Sequence, residues 1–192
     1  THAYSVAVNG GFDNWTSDTS PDNWTLSGAG GSVNQESYTS SPPNYGVFSE
    51  GYSARLAVAL NTATTLLQTA TPSVATQGME VNLSIWVYCL TASRVSARIS
   101  GTDVVSTPVD GTTHGGTGWE RLTVSANLDN DATAFDCGIN ITSGAVLALY
   151  ADDAICTVGP SEVADREWAE LAQWRHIPAI AGASNGGLLE FQ

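Results

Sequence analysis

The side chains that could support catalysis are scattered along the sequence. The three histidines, His2, His114 and His176, lie at one terminus, in a glycine-rich stretch and near the other end of the chain, where we expect them to be solvent-exposed. No HExxH motif accompanies them. Asp152 and Asp153 are adjacent, and adjacent strand residues point to opposite faces, so these two carboxylates cannot act together on one bond. The sequence therefore predicts a protein that is not an enzyme.

Aromatic side chains are better placed for binding than the titratable ones. Trp86 and Tyr88 alternate with apolar residues, so they share one face of a predicted strand. Flat apolar ring faces, such as those of sugars, stack on Trp and Tyr, and we expect these two side chains to contact a ligand. Tyr45 and Tyr52 are expected at a loop rim near them. The alternative is that Trp86 and Tyr88 pack inside the protein, as we expect for Trp15, Trp24 and Trp119.

Short strands must position these aromatic residues. Residues 79–89 alternate strictly, and their apolar face comprises Met79, Val81, Leu83, Ile85, Val87 and Cys89. Similar runs, separated by Gly, Asn, Asp, Ser and Pro clusters, are residues 54–60, 94–100, 119–128, 135–141 and 145–157. No helical period lies between them, so the sequence predicts an all-β antiparallel sandwich.

Length and charge narrow the function classes. The 192 residues suit one main domain. The formal net charge is -13, with 19 acidic residues against 6 basic ones, all arginine. Such a chain is not expected to bind nucleic acid or an anionic membrane surface. No apolar run is long enough to cross a bilayer, so no membrane insertion is expected, and no signal segment is recognisable at the start.

The cysteines do not predict a disulfide framework or a zinc site. Cys89, Cys137 and Cys156 are an odd number without CxxC spacing. Buried free thiols are the simplest expectation. One bridge between Cys137 and Cys156 remains open, because spacing alone does not reveal pairing.

The spacing of apolar residues changes after residue 159, from the two-residue period of strands to the period of a helix. Residues 162–175 read as one amphipathic α-helix capped by Ser161, and an extended glycine-rich tail follows Pro178. We therefore divide the chain into a sandwich at residues 1–159 and a C-terminal helix and assembly arm at residues 160–192. The side chains expected to anchor that arm on a neighbouring subunit are Trp168, Leu171, Trp174, Leu188, Leu189 and Phe191. The alternative is that the helix covers a sheet of its own domain as a lid.

Several short motifs occur together in a recognisable order. They are residues 9–13 (NGGFD) with Trp15 and residues 21–24 (PDNW), residues 51–56 (GYSARL), residues 118–122 (GWERL) and residues 150–155 (YADDAI). Together they resemble the carbohydrate-binding modules of xylanases and glucanases and the related jelly-roll domains of phage tail and capsid-surface proteins. The resemblance covers about four-fifths of the chain and implies a jelly-roll β-sandwich.

The same resemblance implies a structural calcium ion. In the family, the first strand, an acidic loop and the last strand meet at this ion, which here implies Asp13, Glu50 and Asp152 as carboxylate ligands. Main-chain oxygens near Gly11 and Ser53 would complete the shell, since calcium accepts six to eight oxygen ligands. Otherwise these acids are ordinary turn and surface residues.

These observations favour a structural or binding role. The first hypothesis is a virion structural, capsid-decoration or tail-surface protein that docks on neighbouring copies or other subunits through its arm. The alternatives are a carbohydrate-binding module of a secreted polysaccharide-degrading system, which would bind a cell-surface or plant-type glycan, and a cell-surface adhesion or filament subunit. All three imply a location on a virion surface or outside the cell.

Overall fold

The computed structural model describes residues 5–37, 47–48, 51–72 and 77–159. All regular structure in these residues is β-strand, in agreement with the all-β prediction, and no helix there is long and apolar enough to cross a membrane. The helix and tail expected at residues 160–192, with their anchoring side chains, lie outside the described residues. The strands are β1 (Trp15–Ser17), β2 (Ser20–Pro21), β3 (Thr25–Ser27), β4 (Gly31–Ser37), β5 (Tyr52–Val58), β6 (Thr64–Ala70), β7 (Glu80–Cys89), β8 (Val95–Ser100), β9 (Val109–Thr113), β10 (Gly118–Asn127), β11 (Phe135–Ile141) and β12 (Leu147–Val158).

Two five-stranded antiparallel sheets pack on each other. The front sheet has the order β10-β7-β12-β5-β4, and the back sheet has the order β3-β6-β11-β8-β9. β1 and β2 form a separate short ribbon. β12 lies in the middle of the front sheet, where it pairs with both β5 and β7. This is the sandwich that the strand pattern predicts.

Successive side chains of β7 point to opposite faces of the front sheet, and only one of these faces contributes to the hydrophobic core. Val81, Leu83, Ile85 and Val87 are at most 2% exposed and face the back sheet. Trp86 lies on the opposite face and is half-buried, which confirms the predicted division of this strand. Each core side chain contributes about 1.5–3 kcal/mol through its removal from water. Met79 precedes β7 and is 42% exposed, so it is not part of this core.

All three cysteines are buried free thiols. Cys137 on β11 and Cys156 on β12 approach each other between the two sheets. The neighbouring Cys137 side chain, together with burial, raises the pKa of the Cys156 thiol well above its ordinary value. Both thiols therefore behave as small apolar core groups.

The N-terminal segment is fixed to an irregularity in β12. The pairing of β12 with β7 shifts between Asp152 and Ile155. There the Ala154 amide donates to the Gly10 carbonyl at 2.9 Å, and the Val6 amide donates to the Cys156 carbonyl at 2.6 Å. A Cβ at position 10 would overlap the Ala154 carbonyl oxygen, so only glycine permits this approach.

Candidate functional site

A row of side chains crosses the outer face of the front sheet. Strand pairing places Trp119 of β10, Tyr88 of β7, Tyr150 of β12, Arg55 of β5 and Asn34 of β4 side by side. The Tyr88 ring is 5.8 Å from the Trp119 ring and 5.9 Å from the Tyr150 ring, in edge-to-face geometry in both cases. The three aromatic side chains are half-buried. The cross-strand row is therefore three aromatic rings followed by a cation and an amide.

A second row beside it contains the predicted Trp86. Pairing places Trp86 between Arg121 of β10 and Asp152 of β12. Phe48 stacks on the Trp86 ring, with centroids 4.1 Å apart, and is tilted against Trp119 at 5.4 Å. The Phe48 amide donates to the Asp152 Oδ2 atom at 3.0 Å. Asp152 thereby holds Phe48 over the indole, and together the two rows form one aromatic face.

The Trp86 indole nitrogen is buried and has no hydrogen-bond partner. Buried polar groups in native proteins are nearly always paired, because an unpaired donor costs roughly 1–3 kcal/mol. This N–H can donate to a ligand hydroxyl only after neighbouring side chains move, because the nitrogen itself is not exposed. The arrangement thus offers a stacking surface together with a buried, unused donor.

Hydrogen bonds fix the loop that precedes Trp119. His114 is 1% exposed, which corrects the expectation that the histidines lie in solvent. Its Nε2 atom lies 2.9 Å from the Val87 carbonyl and 3.0 Å from the Gly118 carbonyl, and its Nδ1 atom accepts from the Gly116 amide. The imidazole thus links this loop to β7 and to the start of β10. We assign it a structural role, because both ring nitrogens bond to main-chain groups of the protein.

Glu120 completes the fixation of this loop. Its carboxylate accepts from the Gly115 amide at 2.7 Å and from the Thr117 hydroxyl at 2.7 Å. These bonds lower the pKa of Glu120 below its ordinary value, and the bond from the Gly115 amide has the largest effect. Trp119 therefore projects from a strand whose first residues are held in place.

Of the three tryptophans expected in the interior, two pack against the core and one does not. Trp119, expected in the interior, lies on the aromatic face, because it shares strand parity with Arg121 and not with the buried Leu122. Trp24 is 6% exposed and contacts Phe12 at 4.8 Å, so its expected packing role is confirmed. Trp15 also packs against the core.

Of the two tyrosines expected at the rim, only Tyr52 lies among the described residues. Tyr52 begins β5 and shares strand parity with the core-facing Ala54, so its parity differs from that of Arg55. Tyr45 lies outside the described residues. Phe48 and Tyr150 instead complete the face, and the sequence interpretation did not select either of them.

Asp13 lies close to the start of β5 and to the irregularity in β12. Asp13 accepts from the Tyr52 amide at 3.4 Å. A Cβ built on Gly11 would lie 3.1 Å from the Asp13 Oδ2 atom and 3.9 Å from the Asp153 Oδ1 atom. A Cβ at Gly51, where φ is 109°, would overlap the Asp13 carboxylate. The N-terminal segment, the start of β5 and the irregularity in β12 thus converge on Asp13.

Asp153 is a second carboxylate beside Gly11 at this junction. Asp152 is fully buried and accepts from the amides of Phe48 and Asp153. Glu50 lies outside the described residues. Among the residues that the structure describes, no three His, Cys, Asp or Glu side chains form a cluster that could hold a metal ion. The oxygen-only chemistry of Asp13 and Asp153 fits part of a calcium shell.

Comparisons with known proteins identify the fold. No family model matches the sequence, and no curated protein matches it. A family 61 carbohydrate-binding module, solved in complex with β-1,4-galactotriose, superposes with a TM-score of 0.55 at 15% identity, over 80% of this chain and 98% of that one. The C-terminal family 22 carbohydrate-binding module of Clostridium thermocellum Xyn10B gives 0.53 at 18% identity, over 80% and 97%.

A viral protein shares the same fold. The enzymatically active domain of tailspike protein 4 from bacteriophage CBA120 superposes with a TM-score of 0.58 at 18% identity over 80% of this chain. This chain spans about a fifth of that tailspike chain, with 21% covered. The described residues of this chain therefore have the jelly-roll fold of carbohydrate-binding modules.

Proposed function

We propose that this chain is a non-catalytic glycan-binding domain that uses the aromatic face of its front sheet. The observation that carries the proposal is the partly exposed group of Trp119, Tyr88, Tyr150 and Trp86, with the unpaired Trp86 indole N–H among them. A contiguous apolar patch at a protein surface often marks a binding site. Stacked rings with one polar donor suit a sugar, which has apolar ring faces and hydroxyl edges.

The dimensions of the face suit an oligosaccharide. Neighbouring strands lie about 4.8 Å apart, so the path from Trp119 through Tyr88 to Tyr150 extends roughly 10 Å. That is enough for a short run of pyranose rings. The family 61 module was solved with a galactotriose, and another structure with this fold is the family 22 xylan-binding domain of Paenibacillus barcinonensis Xyn10C, with a TM-score of 0.52 at 9% identity. We therefore propose a plant-type or cell-surface polysaccharide as the ligand.

A glycan array combined with sedimentation analysis tests the proposal. The full chain should bind one class of polysaccharide on the array and bind it as a discrete complex in solution. Variants at Trp86 and Tyr88 should lose that binding. Absence of binding to every polysaccharide, with a folded protein, rejects the proposed function.

The second candidate is a virion-surface role. The similarity to a domain of a bacteriophage tailspike protein supports it, because the same fold occurs there in a phage protein. In this case residues 160–192 would anchor the chain to a neighbouring subunit, and the aromatic face would point outward. Both candidates place the protein outside a cell, on a virion or in the extracellular medium. Sedimentation separates them, since a released module stays monomeric and a virion subunit assembles.

We further propose that a calcium ion stabilises the junction around Asp13. Two carboxylates, those of Asp13 and Asp153, approach the same glycine there, and without a cation they repel each other. Glu50 and Asp152 are the remaining acids that the sequence assigns to this ion. Calcium would supply charge neutralisation and join the N-terminal segment to β5 and β12, without a role in chemistry.

A further inference from the structure

The aromatic face ends in a cation. Arg55 follows Tyr150 in the cross-strand row and is exposed. We propose that the glycan ligand is acidic, with a neutral backbone that carries occasional uronic acid residues, and that Arg55 binds one sugar carboxylate. This inference rests on the proposed glycan-binding function and adds the chemical class of the ligand.

Arg55 differs from the other described arginines in having no partner. Arg94 donates to the Thr142 and Ala145 carbonyls. Arg98 forms a two-pronged ion pair with Asp110, with both N···O distances at 2.7 Å. Arg121 also has an electrostatic or hydrogen-bond partner. Among the described residues, Arg55 alone of these cations makes no hydrogen bond or ion pair.

This lack of a partner is informative because acids are abundant. The chain has 19 acidic residues and 6 arginines, so a surface arginine has many opportunities to pair. Glu36 on β4 is a diagonal neighbour of Arg55, yet the two do not form an ion pair within 4 Å. The guanidinium thus remains available on the side of the sheet that carries the aromatic rings. A planar guanidinium matches a carboxylate better than any other side chain does.

The spacing connects this cation to the stacking surface. Arg55 and Tyr150 are directly opposite on adjacent strands, about 5 Å apart. A sugar ring stacked on Tyr150 would therefore place its exocyclic groups, or those of the next ring, within reach of the guanidinium. The aromatic rings would bind the backbone, and Arg55 would select the charged substituent.

The overall charge limits how acidic the ligand is. A net charge of -13 repels a densely charged polyanion at long range. At physiological ionic strength charges are screened beyond about 8 Å, so a single nearby carboxylate still interacts mainly with Arg55. The combination of one unpaired cation and an acidic protein favours a sparsely charged polysaccharide over a dense one.

Matched polysaccharides test the inference with the full chain. Glucuronoxylan and xanthan would each be used in native form and after reduction of their carboxyl groups, with polygalacturonate as the densely charged probe. By isothermal titration calorimetry, at least one native form should bind about tenfold more tightly than its reduced form, and high salt should reduce that difference. Polygalacturonate should bind more weakly than that native form.

Variants assign the effect to Arg55. Arg55→Gln should lose the tenfold preference but still bind the reduced form, and Arg55→Lys should retain part of the preference. Arg98→Gln removes the same charge from the back sheet and should leave the preference unchanged. Equal binding of native and reduced forms, or an unaltered preference in Arg55→Gln, overturns the inference while leaving glycan binding intact. Tightest binding of polygalacturonate overturns the sparse-charge assignment, and binding to no polysaccharide rejects the proposed function itself.

Discussion

Phe48 stacks on Trp86 with the ring planes 16° from parallel, and the backbone amide of Phe48 is held by the Asp152 carboxylate. One side of the indole is therefore already covered by the protein. A ligand ring that stacks on Trp86 must share the indole with Phe48 or move it aside. Asp152, which the sequence predicts as a calcium ligand, thus positions one ring of the aromatic face.

Replacing Trp86 should separate binding from folding. Trp86→Ala should weaken binding of the glycan found on the array by tenfold or more, because both a stacking ring and an indole donor are lost. The loss of folding free energy should stay near 1–2 kcal/mol, since Trp86 is only half-buried. Calorimetry and urea unfolding measure the two effects.

Trp24 provides the matched control for Trp86. Trp24 is 6% exposed, contacts Phe12 and donates from its Nε1 atom to the Asn9 carbonyl. Trp24→Ala should cost about 3–5 kcal/mol, with little effect on the affinity of the folded fraction. If Trp86→Ala destabilises the protein as much as Trp24→Ala does, Trp86 is a core residue and its assignment to a binding face is wrong.

Calcium should raise the melting temperature. Binding to the folded state alone stabilises it by about 2.7 kcal/mol at a free concentration of one hundred times Kd. Asp13→Asn should remove this response, because the Asp13 carboxylate lies where the N-terminal segment, β5 and β12 converge. Asp18→Asn, an exposed residue in the turn between β1 and β2, should respond like the unaltered chain. Identical melting curves with chelator and with millimolar calcium would refute the site.

Removal of residues 160–192 should leave a folded sandwich. β12 ends at Val158, and by then both sheets have all the strands described here. The truncated chain should keep its β-sheet circular dichroism and melt within a few degrees of the full chain, but should no longer assemble on a partner subunit. Sedimentation and thermal melting measure this. Unfolding of the truncated chain would instead show that the C-terminal residues cover their own domain.

Acid should destabilise the fold partly through Asp103. Its carboxylate accepts from the Thr133 amide at 2.6 Å and from the Ala134 amide at 3.1 Å. These bonds, with the Thr133 hydroxyl, lower the pKa of Asp103 from 3.8 to about 2. Because the folded pKa is the lower one, this contribution is present above pH 3.8 and is lost as the pH falls towards 2.

The Asp103→Asn variant tests the direction of this pH dependence of stability. It should be less stable than the unaltered chain at pH 6, and the difference should shrink at pH 2.5 in urea unfolding. Asp131→Asn, in the same region but exposed, serves as the control. A stability difference that is the same at both pH values would contradict the assigned pKa.

Strict alternation of apolar residues made three strands predictable, two in the front sheet and one in the back sheet. Residues 79–89, 119–128 and 135–141 correspond to β7, β10 and β11 within one residue at each end. β4 and β6 were not predicted. In β4 only Val33 is buried, as befits an edge strand, and in β6 the polar Thr64 and Gln68 point inward, so neither strand shows the apolar alternation on which the prediction depended.

The aromatic face was only partly predictable, for a different reason. Alternation within β7 identified Trp86 and Tyr88, but the register between strands decides their neighbours. That register brings Tyr150, Trp119 and Arg55 to Tyr88 from positions far apart in sequence. Trp119 and the buried Leu122 have opposite parity in β10, so the outward position of Trp119 could have been predicted from the sequence. The position of Phe48 could not, because Phe48 lies in a loop.

The central position of β12 has a consequence for how the chain folds during synthesis. β5 and β7 flank β12 and do not pair with each other, so the front sheet is divided into two separate pairs, β4 with β5 and β7 with β10, until residues 147–158 have been made. Until then the two pairs expose strand edges, which are prone to pair with other chains. Closure of the front sheet is therefore a late, long-range step. A pause in translation before residue 147 should lower the yield of folded protein more than a pause after residue 158.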